Sequence, residues 1–151
     1  MQPEPIYVLF LCTGNSARSQ MAEALLCDLG GPDFTISSAG VATAGGVHPL
    51  AVAALAEIGI DWSAARSKSV TDFAGHSFDY VITLCEAARQ TCPVFRGLHT
   101  ALHWELADPA AVSGSEQERL EAFRQTRQEL THFLVPFMET ARHAHQEAMA
   151  V

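Results

Sequence analysis

A single doubly wound α/β domain, with four parallel strands and helices on both faces of the sheet, is what the apolar pattern of this chain predicts. Three observations carry that reading. Ile6-Tyr-Val-Leu-Phe-Leu11 is an unbroken apolar run rich in strand formers, as expected of a strand buried on both faces. Strand-like and helix-like segments alternate along the chain, which makes the strands parallel and the helices their crossovers. The chain has 151 residues, and at about 150 residues per domain there is room for one such unit. One domain over residues 1–151 is expected.

The elements follow in order. After the first strand comes a polar segment, Cys12–Ser19, and then Met21, Ala22, Leu25, Leu26 and Leu29 at helical spacing, with Gly30-Gly31 closing the helix. Phe34–Ser38 reads as a short strand ending at Gly40. Pro49 suits the first turn of a helix marked by Ala51, Leu55 and Ile58 and stopped by Gly59. Phe78–Leu84 is a third strand, and Leu98–Trp104 contains a fourth. Ser115 with Glu118 forms a capping box for a long amphipathic helix carrying Leu120, Phe123, Leu130, Phe133, Leu134, Phe137 and Met138. Pro136 is expected to kink that helix or end its regular part.

Composition narrows the function. Nine basic against seventeen acidic residues leave a net charge of −8, which argues against a sequence-independent nucleic-acid binder, since that needs a basic stripe. A 48% hydrophobic fraction argues against disorder. The N-terminus lacks a basic n-region, and no run approaches the roughly 20 apolar residues of a membrane span. A cytoplasmic monomer is expected. In that compartment the four cysteines, Cys12, Cys27, Cys85 and Cys92, read as metal ligands, catalytic groups or core filler rather than structural disulfides.

Ligands of such sheets bind beyond the carboxyl ends of the strands. That rule selects Cys12–Ser19, the segment from Cys85 onward, and the segment after Trp104. Cys12-Thr-Gly-Asn-Ser-Ala-Arg-Ser19 runs from a buried strand into a helix, so its backbone N–H groups can form a nest for a tetrahedral oxyanion. Gly14 permits close backbone approach, and Asn15 tolerates a left-handed conformation. Arg18 can return across the loop and grip two oxyanion oxygens with its planar fork. The same dipoles and Arg18 favour Cys12 as thiolate, with Ser19 as a hydrogen-bond donor to it. Thr13, Gly14, Asn15, Ser16, Ala17, Arg18 and Ser19 are thus the candidate oxyanion binders and Cys12 the candidate nucleophile. Asp108-Pro109 places a carboxyl on the same edge, either as a proton donor or as an ordinary turn. Cys85, Cys92, His99 and His103 form a Cys-x6-Cys-x6-His-x3-His array whose spacing departs from common zinc sites. Cys27, following Leu25-Leu26 without a motif partner, is read as core packing.

The motif Cys-x5-Arg-Ser near the N-terminus after a strand resembles the low-molecular-weight protein tyrosine phosphatase family. Within it, Cys12-Thr-Gly-Asn-Ser-Ala-Arg-Ser-Gln-Met-Ala-Glu23 is similar to the arsenate reductases built on that fold. The resemblance extends through Ser38-Ala-Gly40, Val81-Ile-Thr-Leu-Cys85, Cys92-Pro93 and His103-Trp104…Asp108-Pro109.

The resemblance implies a thioredoxin-coupled arsenate reductase without a cofactor. Cys12 would form the arseno-adduct, Asp108 would donate the proton, and Cys85 would attack Cys12. Cys92 would then carry the oxidation outward as a Cys85–Cys92 disulfide, reduced by thioredoxin or another thiol reductant. Seven residues of helix span about 10 Å, beyond disulfide reach, so residues 86–91 are expected to loop out on oxidation. The alternative is a low-molecular-weight phosphatase hydrolysing phosphate monoesters through a phosphocysteine at Cys12. Thr13, Ser16 and Ala110 stand where such phosphatases carry bulky residues, which favours a small inorganic anion. A thiol-based arsenic or redox sensor is a weaker third reading. Some relatives bind potassium near Asn15, Glu23 and Ser38. Here the place of the completing acid holds Lys68, whose ammonium is expected to hold Asn15 and Glu23 instead, with no metal bound.

Overall fold

The computed structural model describes residues 4–43 and 45–150; Met1–Pro3, Ala44 and Val151, and with them the outermost ends of the one-domain expectation, lie outside it. Four strands form one parallel sheet: β1 (Ile6–Cys12), β2 (Phe34–Gly40), β3 (Tyr80–Thr83) and β4 (Thr100–His103), in the order β2-β1-β3-β4. Val8, Leu9, Phe10 and Leu11 are all fully buried. Successive strand residues face opposite sides, so both faces of β1 are covered, and the unbroken apolar run reflects that.

Four α-helices accompany the sheet: α1 (Arg18–Gly30), α2 (Pro49–Ala56), α3 (Glu86–Thr91) and α4 (Glu116–Met149). Helix α1 ends at Gly31, whose φ of 60° only glycine adopts cheaply. Pro49 occupies the first turn of α2, and Gly59 (φ 85°) sits in the turn that follows it. Helix α4 opens on the expected capping box, with Ser115 accepting from the Glu118 amide and Glu118 accepting from that of Ser115. It lies across the sheet through Phe137, whose ring meets Phe34, Tyr80 and Trp104, and through Phe133, stacked on Trp104 at 5.1 Å.

One expectation needs correction and two are narrowed. Helix α4 runs through Pro136 without ending. Both Pro136 and His132, whose carbonyl loses its partner, are exposed, so water can satisfy that group. Cys27 is exposed rather than core packing. At 100° per residue it lies past the buried Leu25 and Leu26, on the outer flank with Asp28 and Leu29, so Leu29 leaves the core stripe as well. The fourth strand falls within Leu98–Trp104 as expected, narrowed to Thr100–His103, with Leu98 in solvent and Trp104 buried.

Helix α2 is capped by His48, whose Nδ1 accepts from the Leu50 amide at 3.0 Å while its ring packs on the buried Phe123 at 4.7 Å. Burial first, and then Arg119, lower the His48 pKa from its ordinary value, with Asp108 opposing. The folded state therefore binds this proton less readily than the unfolded chain does. His48 contributes no penalty above about pH 6.5, the unperturbed value, and costs stability as the pH falls below it. His48→Asn, which keeps a capping acceptor and cannot titrate, should flatten the loss of stability between pH 6.5 and 5 in urea unfolding. An unchanged slope would remove His48 as its source.

Candidate active site

The strand order changes direction between β1 and β3, which makes the gap between their carboxyl ends the crevice of the sheet. Leu11 pairs with Thr83, and Leu84 N–H donates to the Leu11 carbonyl at 2.8 Å. Cys12 therefore ends β1 and Cys85 lies two residues past β3, the two being neighbouring strands spaced about 4.8 Å apart. Cys12 is 2% exposed and Cys85 6%.

The loop leaving β1 is turned inside out by its outer partners. The carbonyls of Cys12, Thr13 and Ser16 accept from the amides of Val41, Ala42 and His48, and that of Asn15 from the Ser67 hydroxyl. No described peptide is cis, and in a trans peptide the following N–H points opposite the carbonyl. The N–H groups of Thr13, Gly14, Ser16 and Ala17 thus face the loop interior. Helix α1 begins immediately behind them with no side-chain cap, leaving its first-turn amides available as well. Converging amides at an uncapped helix start bind a tetrahedral anion.

Asn15 makes this curvature possible. Its φ of 51° is the single positive value at a non-glycine among the described residues. It is fully buried, and its amide uses all four of its bonds. Nδ2 donates to Ser19 Oγ (2.7 Å) and Ser38 Oγ (2.9 Å), and Oδ1 accepts from Gln20 Nε2 (2.9 Å) and the Lys68 amide (2.8 Å). Ser19 Oγ lies 2.8 Å from Cys12 Sγ. That hydroxyl accepts from Asn15 and still has its own proton to donate to Cys12 when the sulfur is a thiolate, which can only accept.

Gly40, at the end of β2, closes the loop from outside. A Cβ there would stand 2.7–2.8 Å from Thr13 O, Gly14 C and Asn15 N, all backbone atoms. Sequence reading placed Gly40 only as a strand end; the close approach of a third segment to the loop is not visible in local pattern. Gln20 and Trp62 were missed for the same reason.

Arg18 heads α1 and donates from its guanidinium to the Leu106 carbonyl at 3.2 Å, joining the anion loop to the segment that carries Asp108. Asp108 is exposed and caps a short turn, Pro109–Ala111, by accepting from the Ala110 amide at 3.0 Å. Cys85 is brought to the loop by Thr13, whose Oγ1 lies 3.3 Å from Cys85 Sγ. Cys92 lies at the other end of α3, half-buried, and burial raises its thiol above the ordinary value. All four cysteines are free thiols. Cys27 is pushed up to about 11 by desolvation of its thiol and then by Glu23.

Cys85, Cys92, His99 and His103 do not assemble into a metal-binding group among the described residues. His103 instead bonds Thr83 Oγ1 through Nδ1 (2.7 Å) and Glu105 through Nε2 (3.0 Å). Lys68 behaves only partly as expected. Its ammonium sits 3.6 Å from Glu23, which also accepts from Ser38 at 2.5 Å, but Asn15 is held by the Lys68 main chain rather than by the ammonium. The backbone passes against Asn15 and the side chain leads away to Glu23. Glu23, the carboxylate a potassium ion would need, is already neutralised, so these residues do not fit such an ion.

The family model for low molecular weight phosphotyrosine protein phosphatase matches residues 7–147. The chain belongs to that family. Similar curated proteins include arsenate reductases. That of Halalkalibacterium halodurans is 39% identical over 135 residues, 89% of this chain and 96% of that protein. That of Bacillus subtilis is 38% identical over the same shares. Among solved structures, an arsenate reductase in the phosphate binding state superposes with a TM-score of 0.73 at 30% identity, covering 90% of this chain and 98% of the other. A thioredoxin-dependent arsenate reductase of Corynebacterium glutamicum gives 0.62 at 36% identity, covering 87% and 62%. The YwlE arginine phosphatase of Geobacillus stearothermophilus gives 0.71 at 26%, covering 95% and 97%. The fold and the arsenate-reductase resemblance read from the sequence both hold.

Gly40→Ala tests the inside-out loop. Crowding of backbone against a new methyl should cost about 1–3 kcal/mol in unfolding. It should also weaken binding of inorganic phosphate by about tenfold or more in calorimetry. Undiminished phosphate binding would show that the loop does not need this close approach.

Proposed function

We propose that this protein reduces arsenate to arsenite through three thiols, with Cys12 as nucleophile, Cys85 as the second thiol and Cys92 as the third. The observation that carries the reading is the Thr13 hydroxyl bridging the anion loop to Cys85 at 3.3 Å, which sets a second thiol at an oxyanion cradle. Phosphoester hydrolysis needs one thiol; a two-electron reduction needs two.

Arsenate sits among the loop amides of residues 13–18, with the Arg18 fork on two of its oxygens. The Cys12 thiolate attacks arsenic, and the departing oxygen takes a proton from Asp108 and leaves as water. Cys85, as thiolate, then attacks Cys12 Sγ. The S–S bond forms, the electron pair of the As–S bond stays on arsenic, and arsenite leaves. Attack of Cys92 on Cys85 expels the Cys12 thiolate and leaves a Cys85–Cys92 disulfide. Since α3 separates these two residues by about 10 Å, it must open before the bond forms. Opening also removes the burial that raises the Cys92 thiol.

A dithiol protein of the thioredoxin type suits an internal disulfide as its reductant, and the thioredoxin-dependent neighbour supports that choice. Val94 and Leu98, on the loop that follows Cys92, stand fully in solvent and offer such a protein apolar surface. Phosphatase activity is the second reading, supported by the family model and the similar arginine phosphatase. The anion loop, Arg18 and Asp108 suffice for it.

Cys85→Ser and Cys92→Ser should each lower arsenate-dependent NADPH oxidation, coupled through thioredoxin and its reductase, by at least a hundredfold. Aryl-phosphate hydrolysis should remain within about threefold of the unsubstituted protein. If the unsubstituted protein hydrolyses aryl phosphate but oxidises no NADPH with any thiol system, the phosphatase reading replaces the reductase. The formation of the Cys85–Cys92 disulfide in a single turnover should also quicken as pH rises from 7 to 9, following ionisation of Cys92. A flat profile would mean that opening of α3 alone sets the rate.

A further inference from the structure

The buried amide of Gln20 takes no part in the anion cradle, yet it is fully buried and every bond it makes is spoken for. Its Oε1 accepts from Trp62 Nε1 at 2.8 Å. Its Nε2 donates to Asn15 Oδ1 at 2.9 Å and to the Arg66 carbonyl at 2.8 Å. From there the contacts continue inward. Asn15 Nδ2 donates to Ser19 Oγ, and Ser19 Oγ meets Cys12 Sγ. Four hydrogen bonds thus connect a half-buried indole to the nucleophile.

Each link from Trp62 to Ser19 has one allowed direction, and the last is fixed when Cys12 is a thiolate, which can only accept. An indole N–H only donates, so the oxygen of Gln20 must face it and the nitrogen must face Asn15. Asn15 then presents its oxygen to Gln20 and its nitrogen to Ser19. The Arg66 carbonyl and the Lys68 amide impose the same polarity from the sides. Ser19, accepting from Asn15, has its own proton left for sulfur. Aligned hydrogen bonds in a low-dielectric interior polarise one another. Removing the outermost donor also leaves Gln20 Oε1 buried without a partner, an arrangement the amide can escape only by turning its nitrogen away from Asn15.

We infer that Trp62 is a positioning residue for Cys12: its indole N–H fixes the direction of the buried chain Gln20–Asn15–Ser19 that delivers a hydrogen bond to the Cys12 thiolate. The inference rests on Cys12 as the reactive thiol and not on which oxyanion it attacks. The outer end of the chain is open to solvent. Trp62 lines a surface cleft with Glu23, Arg66, Lys68 and Phe73, so the polarity of the nucleophile's support is set from a face of the molecule remote in sequence from the loop.

Trp62→Phe keeps an aromatic ring and removes only the donor. The rate of Cys12 alkylation by iodoacetamide, followed by peptide mass spectrometry across pH 5–9, should fall roughly twofold to fivefold at neutral pH. The whole profile should move to higher pH. Loss of packing alone would lower the melting temperature without moving that profile, and a folded variant with an unmoved profile overturns the inference. Ser19→Ala cuts the last link and should shift the profile in the same direction and further. A second measurement needs no substitution. With two tryptophans in the chain, the Trp62 indole N–H resonance of the native protein should move with pH at the midpoint of Cys12 alkylation. A resonance that stays flat through that midpoint overturns the inference as well. Failure of arsenate turnover with both results intact would strike the reductase reading and leave this one standing.

Discussion

Everything at the site depends on one saturated amide. Asn15 holds a left-handed backbone that costs a non-glycine residue on the order of 1–3 kcal/mol, and four hydrogen bonds, three of them buried, hold it there. A glycine would adopt that φ more easily but would bring none of the four. With asparagine, one residue curves the loop, orients Ser19 toward Cys12, and ties the loop to β2 through Ser38 and to the Lys68 segment. The loop is therefore rigid before any anion arrives, and the ordering of its amides is complete at folding rather than at binding.

The topology supplies what local chemistry cannot. A nucleophile after β1 and a second thiol after β3 are 73 positions apart in the chain, and only the β2-β1-β3-β4 order makes them neighbours. The same order puts the Leu106 carbonyl within reach of Arg18, so the segment bearing Asp108 is held against the loop by the residue that would grip the substrate. Two chemistries, hydrolysis and reduction, can share this scaffold. On the proposed reading they would differ in whether a thiol follows β3, not in the cradle itself.

Much of this was legible in the residues. The run Ile6–Leu11, buried but for Tyr7, the glycine pair after α1 and the Ser115–Glu118 box mark elements by local rules, and the structure has them. The cradle was legible because Cys-x5-Arg-Ser compresses a nucleophile, an anion and a helix start into one segment. What escaped were contacts between distant segments: Gly40 against the loop, Trp62 on Gln20, His103 on Thr83. Cys27 failed for a different reason. Its leucine neighbours are buried, but one step of 100° carries it off the apolar face, and a string of letters does not show where that face ends. Of the two outcomes expected at Pro136, the helix does not end there, because a proline on the wet side of a packed helix loses a hydrogen bond that water replaces.

The six-residue helix α3 has a consequence for timing. A helix that short does not persist on its own; here it is kept by the buried Ala88 and by packing against β1 and β3. In the three-thiol relay proposed above it would work as a spacer with a set lifetime. While it is wound, Cys85 and Cys92 are too far apart to oxidise each other, and a resting molecule is spared idle cross-linking by stray oxidants. Tightening α3, for example by filling its exposed positions with stronger helix formers, would lengthen the resting life of the enzyme and slow each cycle. Loosening it would do the reverse. In the proposed three-thiol relay, the stability of this six-residue helix would set the balance between shelf life and turnover.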